Sequence, residues 1–320
     1  MFQESKILLL KTLTPTHVGS GNDLGIVDLP IQREKHTGFP KIEGSSLKGS
    51  IREAFEQNLG EASLDIHLTF GYDEDSDKSK LVEGLLSEKN TRYAGALGFS
   101  DSRLLFFPVK SVKHIYALCT CPFILKRLVN DFNIAGIKDI LKVNNLKLDQ
   151  SKVMVSENFS KVHKSIAGKN IVMLEEYSFE AEDIPGDLGF NFFLKLKELF
   201  GESIMERLVI LSDDDFQSFV ENTTEVVTRT KINNATGTVK KGGLFNEEYL
   251  PAESYLYSMI FASSLFNQPE VSSFKPEEGK SQAEKVIEWF EKTMPKVFQV
   301  GANATLGKGI TGAEFYEVKK

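Results

Sequence analysis

Residues 6–58 read KILLLKTLTPTHVGSGNDLGIVDLPIQREKHTGFPKIEGSSLKGSIREAFEQN and hold the signals that decide the fold. The apolar run at residues 6–13 predicts a buried strand, which leads into a glycine-rich turn. Apolar side chains then recur at helical spacing in residues 47–58, after two serines, Ser45 and Ser46, that suit a helix N-cap. The segment therefore predicts a strand, a long loop and a helix.

The loop and the helix start carry groups that an ordinary core segment does not need. A flexible turn at residues 19–21 is followed by a single carboxylate, Asp28, and by the helix start GSSLKG at residues 44–49. Free backbone amides at a helix N-terminus favour anions, and the helix dipole disfavours a cation such as Lys48 there unless an anion is bound. We therefore expect phosphate binding at GSSLKG, with simple capping as the alternative.

Asp28 has no acidic neighbour in the sequence nearer than Asp23 and Glu34. One interpretation is a solvated loop carboxylate. The other is an anchor for hydrated Mg²⁺ or Mn²⁺, or for a ribose hydroxyl, beside a scissile phosphate. Mg²⁺ commonly keeps several waters and uses one or two carboxylates, so one aspartate is sufficient. His17 offers acid–base help. A second polar cluster, formed by Glu247, Glu248 and Tyr249, would be brought near Asp28 by folding or by packing against a neighbouring subunit.

Composition limits the class of protein. Hydrophobic residues make up 41% of the 320 residues and charged residues 26%, which is ordinary for a soluble globular protein of one or two domains. The apolar runs are too short for a membrane span and no signal-peptide pattern is present, so we expect a cytoplasmic protein. Cys119 and Cys121 have no second pair, which excludes a disulfide framework and a zinc ribbon.

Charge bears on the partners of the chain. A net charge of −7 argues against nonspecific binding of polyanions. A local basic surface is compatible with that balance, however, and residues 31–55 carry five bases that could face a phosphate chain: Arg33, Lys35, Lys41, Lys48 and Arg52. The distribution of charge therefore favours a nucleic-acid contact in this segment and not in the acidic residues 180–225.

The element order predicts an α+β protein with a ferredoxin-like core. Residues 72–92 are polar and acidic and are expected to be a surface insertion, and residues 135–190 a peripheral lobe. Ser212 is expected to cap a helix. Residues 225–250 alternate and then break at asparagines and glycine, which predicts a protruding β-hairpin.

The C-terminal motif GANATLGKG, residues 301–309, is not a P-loop. Five residues separate Gly301 from Gly307 where a P-loop has four, and Lys308 is followed by glycine instead of a hydroxyl residue. A plain tight turn and a backbone-amide cradle for RNA phosphate, with Lys308 as a point charge, both remain open.

Eight ordered segments together resemble a known family over nearly the whole chain. The resemblance is to the backbone subunit of the type III-B CRISPR effector, the Cmr complex, in the repeat-associated mysterious protein (RAMP) superfamily. The segments are HVGSG…LGIVDLPIQREKHTGFPKIEGSSLKGSIRE, AGALGFSDSRLLFFPVKS, TCPFILKRL, LSDDDFQSFV, TEVVTRTKI, TGTV, EEYLP and GANATLGKG.

The resemblance implies a fold and partners. The family fold is a single domain with a modified RNA-recognition (ferredoxin-like) palm, peripheral insertions and a β-hairpin thumb. Its members stack along CRISPR guide RNA as a helical filament with other Cmr subunits, and the thumb distorts the guide–target duplex every six nucleotides. The chain lacks the aromatic motif of ordinary RNA-recognition domains, so base stacking on sheet aromatics is not implied. The implied partners are guide RNA, complementary target RNA, further copies of the chain and other subunits, without a membrane.

The resemblance also implies site residues. Asp28 matches the acid that the family needs for metal-dependent cleavage of target RNA, with Mg²⁺ or Mn²⁺ as cofactor and Asp28 as its ligand. His17, Glu247 and Tyr249 match positions that assist cleavage. The residues expected to bind RNA are Ser45, Ser46, Lys48, Arg52, Gly301, Gly307 and Lys308.

Two other functions remain alternatives. One is a structural RNA-binding backbone subunit without catalytic activity. The other is an endonuclease that processes precursor CRISPR RNA and uses His17 as its acid–base group.

Overall fold

The computed structural model describes residues 2–21, 25–72, 80, 93–143, 146–156, 159, 165–166, 169–186, 188, 190–267, 273–275, 277 and 279–317. The strands are β1 Glu4–Thr12, β2 Lys41–Ile42, β3 Gly71–Tyr72, β4 Tyr93–Ala94, β5 Leu97–Phe99, β6 Ser102–Lys110, β7 Tyr116–Thr120, β8 Lys152–Val155, β9 Ser165–Ile166, β10 Lys169–Leu174, β11 Tyr177–Asp183, β12 Leu208–Ile210, β13 Glu225–Ile232, β14 Val239–Tyr249, β15 Tyr255–Ala262, β16 Val297–Gln299 and β17 Ile310–Tyr316.

Helices are interspersed among these strands. Their bounds are α1 Gly44–Leu59, α2 Leu64–Phe70, α3 Pro122–Ile134, α4 Phe190–Phe200, α5 Ser203–Arg207, α6 Asp213–Asn222 and α7 Gln282–Thr293, with a 3₁₀ turn at Ala304–Leu306. Within the described residues, no helix is long and apolar enough to cross a membrane.

Most strands join one mixed sheet in the order β16-β17-β1-β15-β6-β7-β12-β8-β11-β10-β9, with β2 and β5 paired at its side. The pairs are antiparallel except β7–β12 and β8–β11, which are parallel. β13 and β14 form a separate antiparallel hairpin. The structure therefore confirms an α+β fold with a large mixed sheet and a β-hairpin.

The core lies on both sides of β1. Residues 7–10 of this strand are fully buried, as expected of a central strand flanked by β15 and β17. On one side, Phe290 of α7 packs against Phe55 of α1 at a centroid distance of 5.6 Å and against Phe99 at 5.7 Å. These contacts hold α1 on the sheet and so fix the position of the loop that precedes it.

The described structure confirms the expected strand, loop and helix at the start of the chain, but the predicted cap is wrong. Helix α1 begins at Gly44 after Glu43, and no side chain caps it. Ser45 and Ser46 lie inside the first turn, two and three residues after the N-cap position that Glu43 occupies. The predicted cap at Ser212 is confirmed, because its side chain accepts a hydrogen bond from the Asp215 amide.

Most of the surface insertion expected at residues 72–92 lies outside the described residues. In residues 135–190 the described strands β8 to β11 continue one edge of the main sheet beyond β12. They lie at the opposite end of the sheet from β16 and β17, the strands that flank the glycine-rich loop.

Candidate functional site

The segment around Asp28 pairs with the base of the hairpin. Leu29 forms a parallel β-bridge with Glu247. The backbone amide of Leu29 donates to the backbone carbonyl of Asn246 at 3.0 Å, and the Leu29 carbonyl accepts from the backbone amide of Glu248 at 3.0 Å. The Asp28 carboxylate is exposed and its Oδ2 accepts a hydrogen bond from the Asn246 amide at 2.8 Å. Folding of the single chain thus brings Asp28 to the strand that carries Glu247, Glu248 and Tyr249, which is one of the two routes that the sequence left open.

The other three residues that were expected to be catalytic lie below this surface. His17, Glu247 and Tyr249 are 6%, 4% and 0% exposed. His17 Nδ1 lies 2.6 Å from the carbonyl oxygen of Glu248, which can only accept, so Nδ1 donates an N–H to it, and Nε2 lies 3.8 Å from Glu247 Oε1. The Tyr249 hydroxyl donates to Glu247 Oε2 at 2.6 Å.

Two residues that the sequence reasoning missed complete this buried cluster. Asn303, in the glycine-rich loop, donates to Glu247 Oε1 at 2.7 Å and to the Tyr249 hydroxyl at 3.1 Å. Arg229 of β13 donates to the Tyr249 hydroxyl, and its Nε lies 2.6 Å from Glu247 Oε2. No local sequence pattern could have identified them, because both are distant from Glu247 in the sequence. They approach it only through the pairing of the hairpin strands and the packing of the C-terminal loop.

The cluster sets the ionisation of its members. Burial alone would raise the pKa of Glu247, but the hydrogen bonds from Tyr249 and Asn303 and the charges of His17 and Arg229 outweigh burial, so this pKa lies below its ordinary value. Burial, and the neighbouring Glu247 carboxylate, raise the pKa of Tyr249. The pair is therefore a carboxylate and a neutral phenol at neutral pH.

The glycine-rich loop packs directly on His17. Gly301 has φ +83°, and a Cβ there would lie 2.2 Å from the His17 carbonyl oxygen, so only glycine fits. The next amide, that of Ala302, donates to the same carbonyl at 2.8 Å. Lys308 lies over the Tyr249 ring, 5.0 Å from its centroid. Packing against His17 explains Gly301 without RNA, and RNA binding by Gly301, Gly307 and Lys308 stays a prediction.

The polar groups of the GSSLKG helix start form hydrogen bonds with other parts of the chain. The Gly44 amide donates to Asp101 Oδ1 at 2.9 Å, so a carboxylate of the protein already occupies this helix end. Lys48 donates to the Leu97 carbonyl at 3.1 Å, and burial lowers its pKa. Lys48 therefore does not by itself require an external anion such as an RNA phosphate at this helix end. RNA binding by Ser45, which is exposed, and by Ser46 and Lys48 stays a prediction.

The basic residues of the segment 31–55 are also engaged internally. Arg52 donates to Glu56 at 2.8 Å and to the Gly71 carbonyl at 3.0 Å. Lys41 pairs with Asp101 at 2.8 Å, and Arg33 pairs with Glu248 at 2.6 Å. The basic surface predicted for this segment is thus largely used in holding the fold. By contrast, the hairpin exposes Lys231, Lys240 and Lys241.

The residues around Asp28 offer a metal ion little besides this one carboxylate. Across the described part of the chain, no group of three or more His, Cys, Asp or Glu side chains is arranged to hold a metal. An exposed carboxylate with one oxygen already hydrogen-bonded to an amide suits a hydrated Mg²⁺ that keeps most of its waters, and does not suit a closed protein cage.

Comparison with known proteins places the chain in a family. The model of the RAMP superfamily matches residues 9–311. The chain is 34% identical over 313 residues to the CRISPR system Cmr endoribonuclease Cmr4 of Pyrococcus furiosus, and the match covers 97% of this chain and 95% of that protein.

Solved structures show the same fold. The crystal structure of oligomeric Cmr4 from Pyrococcus furiosus superimposes with a TM-score of 0.69 at 26% identity, covering 99% of this chain and 100% of that one. A chain of the type III-B Cmr-β complex bound to cognate target RNA superimposes with a TM-score of 0.69 at 18% identity, over 98% of both chains, and shows the fold alone. On the family match and the close relative together, the chain belongs to the RAMP superfamily and, within it, to the Cmr4 family of CRISPR systems.

Proposed function

We propose that this chain is a Cmr4-type endoribonuclease that cleaves target RNA within an assembled type III-B effector complex, and that Asp28 is its catalytic residue. The observation that carries the assignment is the placement of Asp28. It is an exposed carboxylate on a loop that is hydrogen-bonded to the base of the hairpin. The relative from Pyrococcus furiosus, named an endoribonuclease, supports the reaction class.

The proposed reaction is in-line attack of a ribose 2′-hydroxyl on the adjacent phosphate. The 2′-oxygen forms a bond to phosphorus as its proton leaves, the bond to the 5′-oxygen breaks, and that oxygen takes up a proton. The products are a 2′,3′-cyclic phosphate and a 5′-hydroxyl. The free side of the Asp28 carboxylate accepts the 2′-hydroxyl proton, directly or through a water.

A divalent cation held by Asp28 through its hydration shell would neutralise charge that develops on the phosphate. Asp28 is the residue that would hold it. The other groups of the site act by orientation: the Asn246 amide fixes one carboxylate oxygen, and the pairing of Leu29 with β14 fixes the backbone that carries Asp28.

We assign His17, Glu247 and Tyr249 to positioning instead of contact with RNA, because all three are buried and hydrogen-bonded to the protein. The same burial argues against processing of precursor RNA with His17 as acid–base group. That reaction would require the ring to leave the Glu248 carbonyl and reach solvent.

The hairpin is proposed to act as the thumb and the main sheet as the palm of a filament subunit. In this arrangement the exposed lysines of the hairpin contact RNA backbone, and further copies of the chain, guide RNA and other Cmr subunits complete the site. The crystallised relative is described as oligomeric, which supports stacking of copies. Cleavage every six nucleotides would follow from one hairpin per copy.

The test is the Asp28→Asn variant in the assembled complex with guide RNA. Loss of the carboxylate charge with retention of shape should reduce cleavage by at least about 100-fold, the usual contribution of a positioned acid–base group, and leave the affinity for target RNA unchanged. Cleavage is followed with end-labelled target RNA in Mg²⁺, Mn²⁺ or chelator, and binding by filter retention. The control is Asp183→Asn, which removes an exposed acid on β11.

Each possible result rejects or favours a different hypothesis. Undiminished cleavage by the Asp28→Asn complex would exclude Asp28 as the catalytic residue. Intact RNA with the unmodified complex in either metal would favour a structural subunit. Unchanged cleavage in chelator would reject the proposed cofactor but leave Asp28 in place.

A further inference from the structure

Glu248 is buried beside the proposed catalytic loop, and its carboxylate joins separate parts of the chain. Its side chain is 7% exposed. Oε2 accepts from the Ile31 amide at 3.0 Å. Oε1 accepts from Arg33 Nη2 at 2.6 Å and from the Thr224 hydroxyl at 2.7 Å. The backbone amide of Glu248 donates to the Leu29 carbonyl.

The partners of Glu248 belong to the loop that follows Asp28 and to the start of the hairpin. Leu29 and Ile31 belong to the loop that follows Asp28, while the preceding residue on β14, Glu247, forms the bridge to Leu29. Thr224 lies at the point where the chain enters the hairpin from helix α6. Glu248 therefore connects the loop that carries the acid to both strands of the hairpin.

Arg33 extends this connection to a third element. Its Nη1 donates to the Gly38 carbonyl at 2.6 Å and to the carbonyl of Val220, in helix α6, at 3.1 Å. A guanidinium with donors in a fixed planar fork holds several acceptors in one geometry, which an ammonium does not. Because Glu248 is almost fully buried, loss of its charge would leave the Arg33 guanidinium without its carboxylate partner.

We propose that Glu248 and Arg33 are positioning residues for the cleavage reaction: their ion pair locks the loop of Asp28 to the hairpin and to helix α6, so that the carboxylate is aligned whenever the hairpin engages RNA. The proposal rests on the assignment of Asp28 as the catalytic residue. It does not require Glu248 or Arg33 to touch RNA. Misplacement of a reacting group by about 1 Å can reduce a rate about 100-fold, so a locking ion pair has a measurable effect on cleavage.

The experiment uses the assembled complex with guide RNA under single-turnover conditions at saturating target. Glu248→Gln keeps the shape of the side chain but removes its charge. We expect the cleavage rate constant to fall about 10-fold, less than for a 1 Å displacement, with unchanged affinity for target RNA. The amplitude, which counts active complexes, should stay near that of the unmodified complex.

A milder variant tests the same proposal if the Glu248→Gln chain does not fold. Thr224→Val is close to isosteric and removes only the hydroxyl donor to Glu248, and we expect a fall of about threefold in the rate constant. Thr224→Ser, which keeps the donor, should restore the original rate. Asp131→Asn is the matched control: it breaks another buried ion pair, with Arg103 at 2.6 Å, outside this network. It should lower thermal stability and leave the rate constant unchanged.

The results distinguish failure of the positioning role of Glu248 from failure of the catalytic role of Asp28. A reduced amplitude with an unchanged rate constant in Glu248→Gln and Thr224→Val would show a purely structural role and overturn the positioning assignment. Unchanged values in both variants would overturn it as well. If Asp28→Asn cleaves normally, the proposed function itself fails. If Asp28→Asn is inactive while both Glu248→Gln and Thr224→Val cleave at full rate, only the positioning role is rejected.

Discussion

At the scale of single residues, the described structure separates one exposed acid from a buried polar cluster. Asp28 is exposed next to β14, whereas His17, Glu247 and Tyr249 are buried, and the last two are held by the half-buried Arg229 and Asn303. The residues that would meet RNA and the residues that hold the site in shape are therefore different groups. Sequence reasoning placed four of them in one class because burial is a property of the folded chain.

The lowered pKa of Glu247 predicts a pH dependence of stability. A carboxyl group with a lower pKa in the folded than in the unfolded state contributes stability above its unfolded value of about 4.3, and this is lost as pH falls through the folded value. Glu247→Gln should thus destabilise the chain at neutral pH, and the difference from the unmodified chain should shrink below about pH 4. Denaturant unfolding at several pH values measures this, with Asp183→Asn as control. A difference independent of pH would contradict it.

The positions of bases could be predicted less well than the positions of apolar residues. Arg33, Lys48 and Arg52 were expected to face a phosphate chain, and all three have partners inside the described structure. The partners of Arg33 and Lys48, Glu248 and the Leu97 carbonyl, come from distant parts of the chain. Charge in a sequence shows that a base must be solvated or paired, and only the fold shows which.

At the scale of elements, hydrophobic periodicity was a reliable guide. The central strand, helix α1 and the β-hairpin follow patterns that repeat within about ten to fifteen residues, so local sequence was sufficient to predict them. The N-cap of α1 was not predictable in the same way. Its first amide is satisfied by Asp101, which is distant in the sequence and reaches the helix only through the pairing of β2 with β6.

The exposed lysines of the hairpin lead to a prediction about RNA binding. Lys240 and Lys241 are exposed near its tip, so their charges are free to meet RNA phosphates. The double variant Lys240→Gln, Lys241→Gln should weaken target binding. The slope of log affinity against log salt should become shallower by about 0.7 for each phosphate that a lysine no longer neutralises. Titration of the assembled complex at several salt concentrations checks this.

The control for the lysine variants is Lys113→Gln, in the turn between β6 and β7. It should leave the salt slope unchanged. An unchanged slope in the hairpin variant would show that these two lysines do not contact phosphates.

At the scale of the whole molecule, aromatic packing joins the helical layer to the sheet. Phe290 is fully buried and contacts Phe55 and Phe99, and also Phe315 of β17 at 5.8 Å. Phe290→Ala should destabilise the chain by about 3–5 kcal/mol, because it removes a buried ring and leaves a cavity. Thermal or denaturant unfolding of the purified chain measures the change.

Phe266→Ala serves as the control for Phe290→Ala, since this ring is 64% exposed. It should change stability by no more than about 0.5 kcal/mol. A loss below about 1 kcal/mol in Phe290→Ala would show that the ring is not part of the continuous core.

The pairing of Leu29 with Glu247 has a consequence for protein engineering. The hairpin has a base, where β14 holds the Asp28 loop, and a tip beyond the register shift between Thr230 and Ile232. A chimera that grafts a relative's hairpin onto this chain would need to transfer residues 28–33 with it, because the two segments form one interchangeable unit. Tips of different length, by contrast, could be exchanged beyond the register shift without replacing the acid.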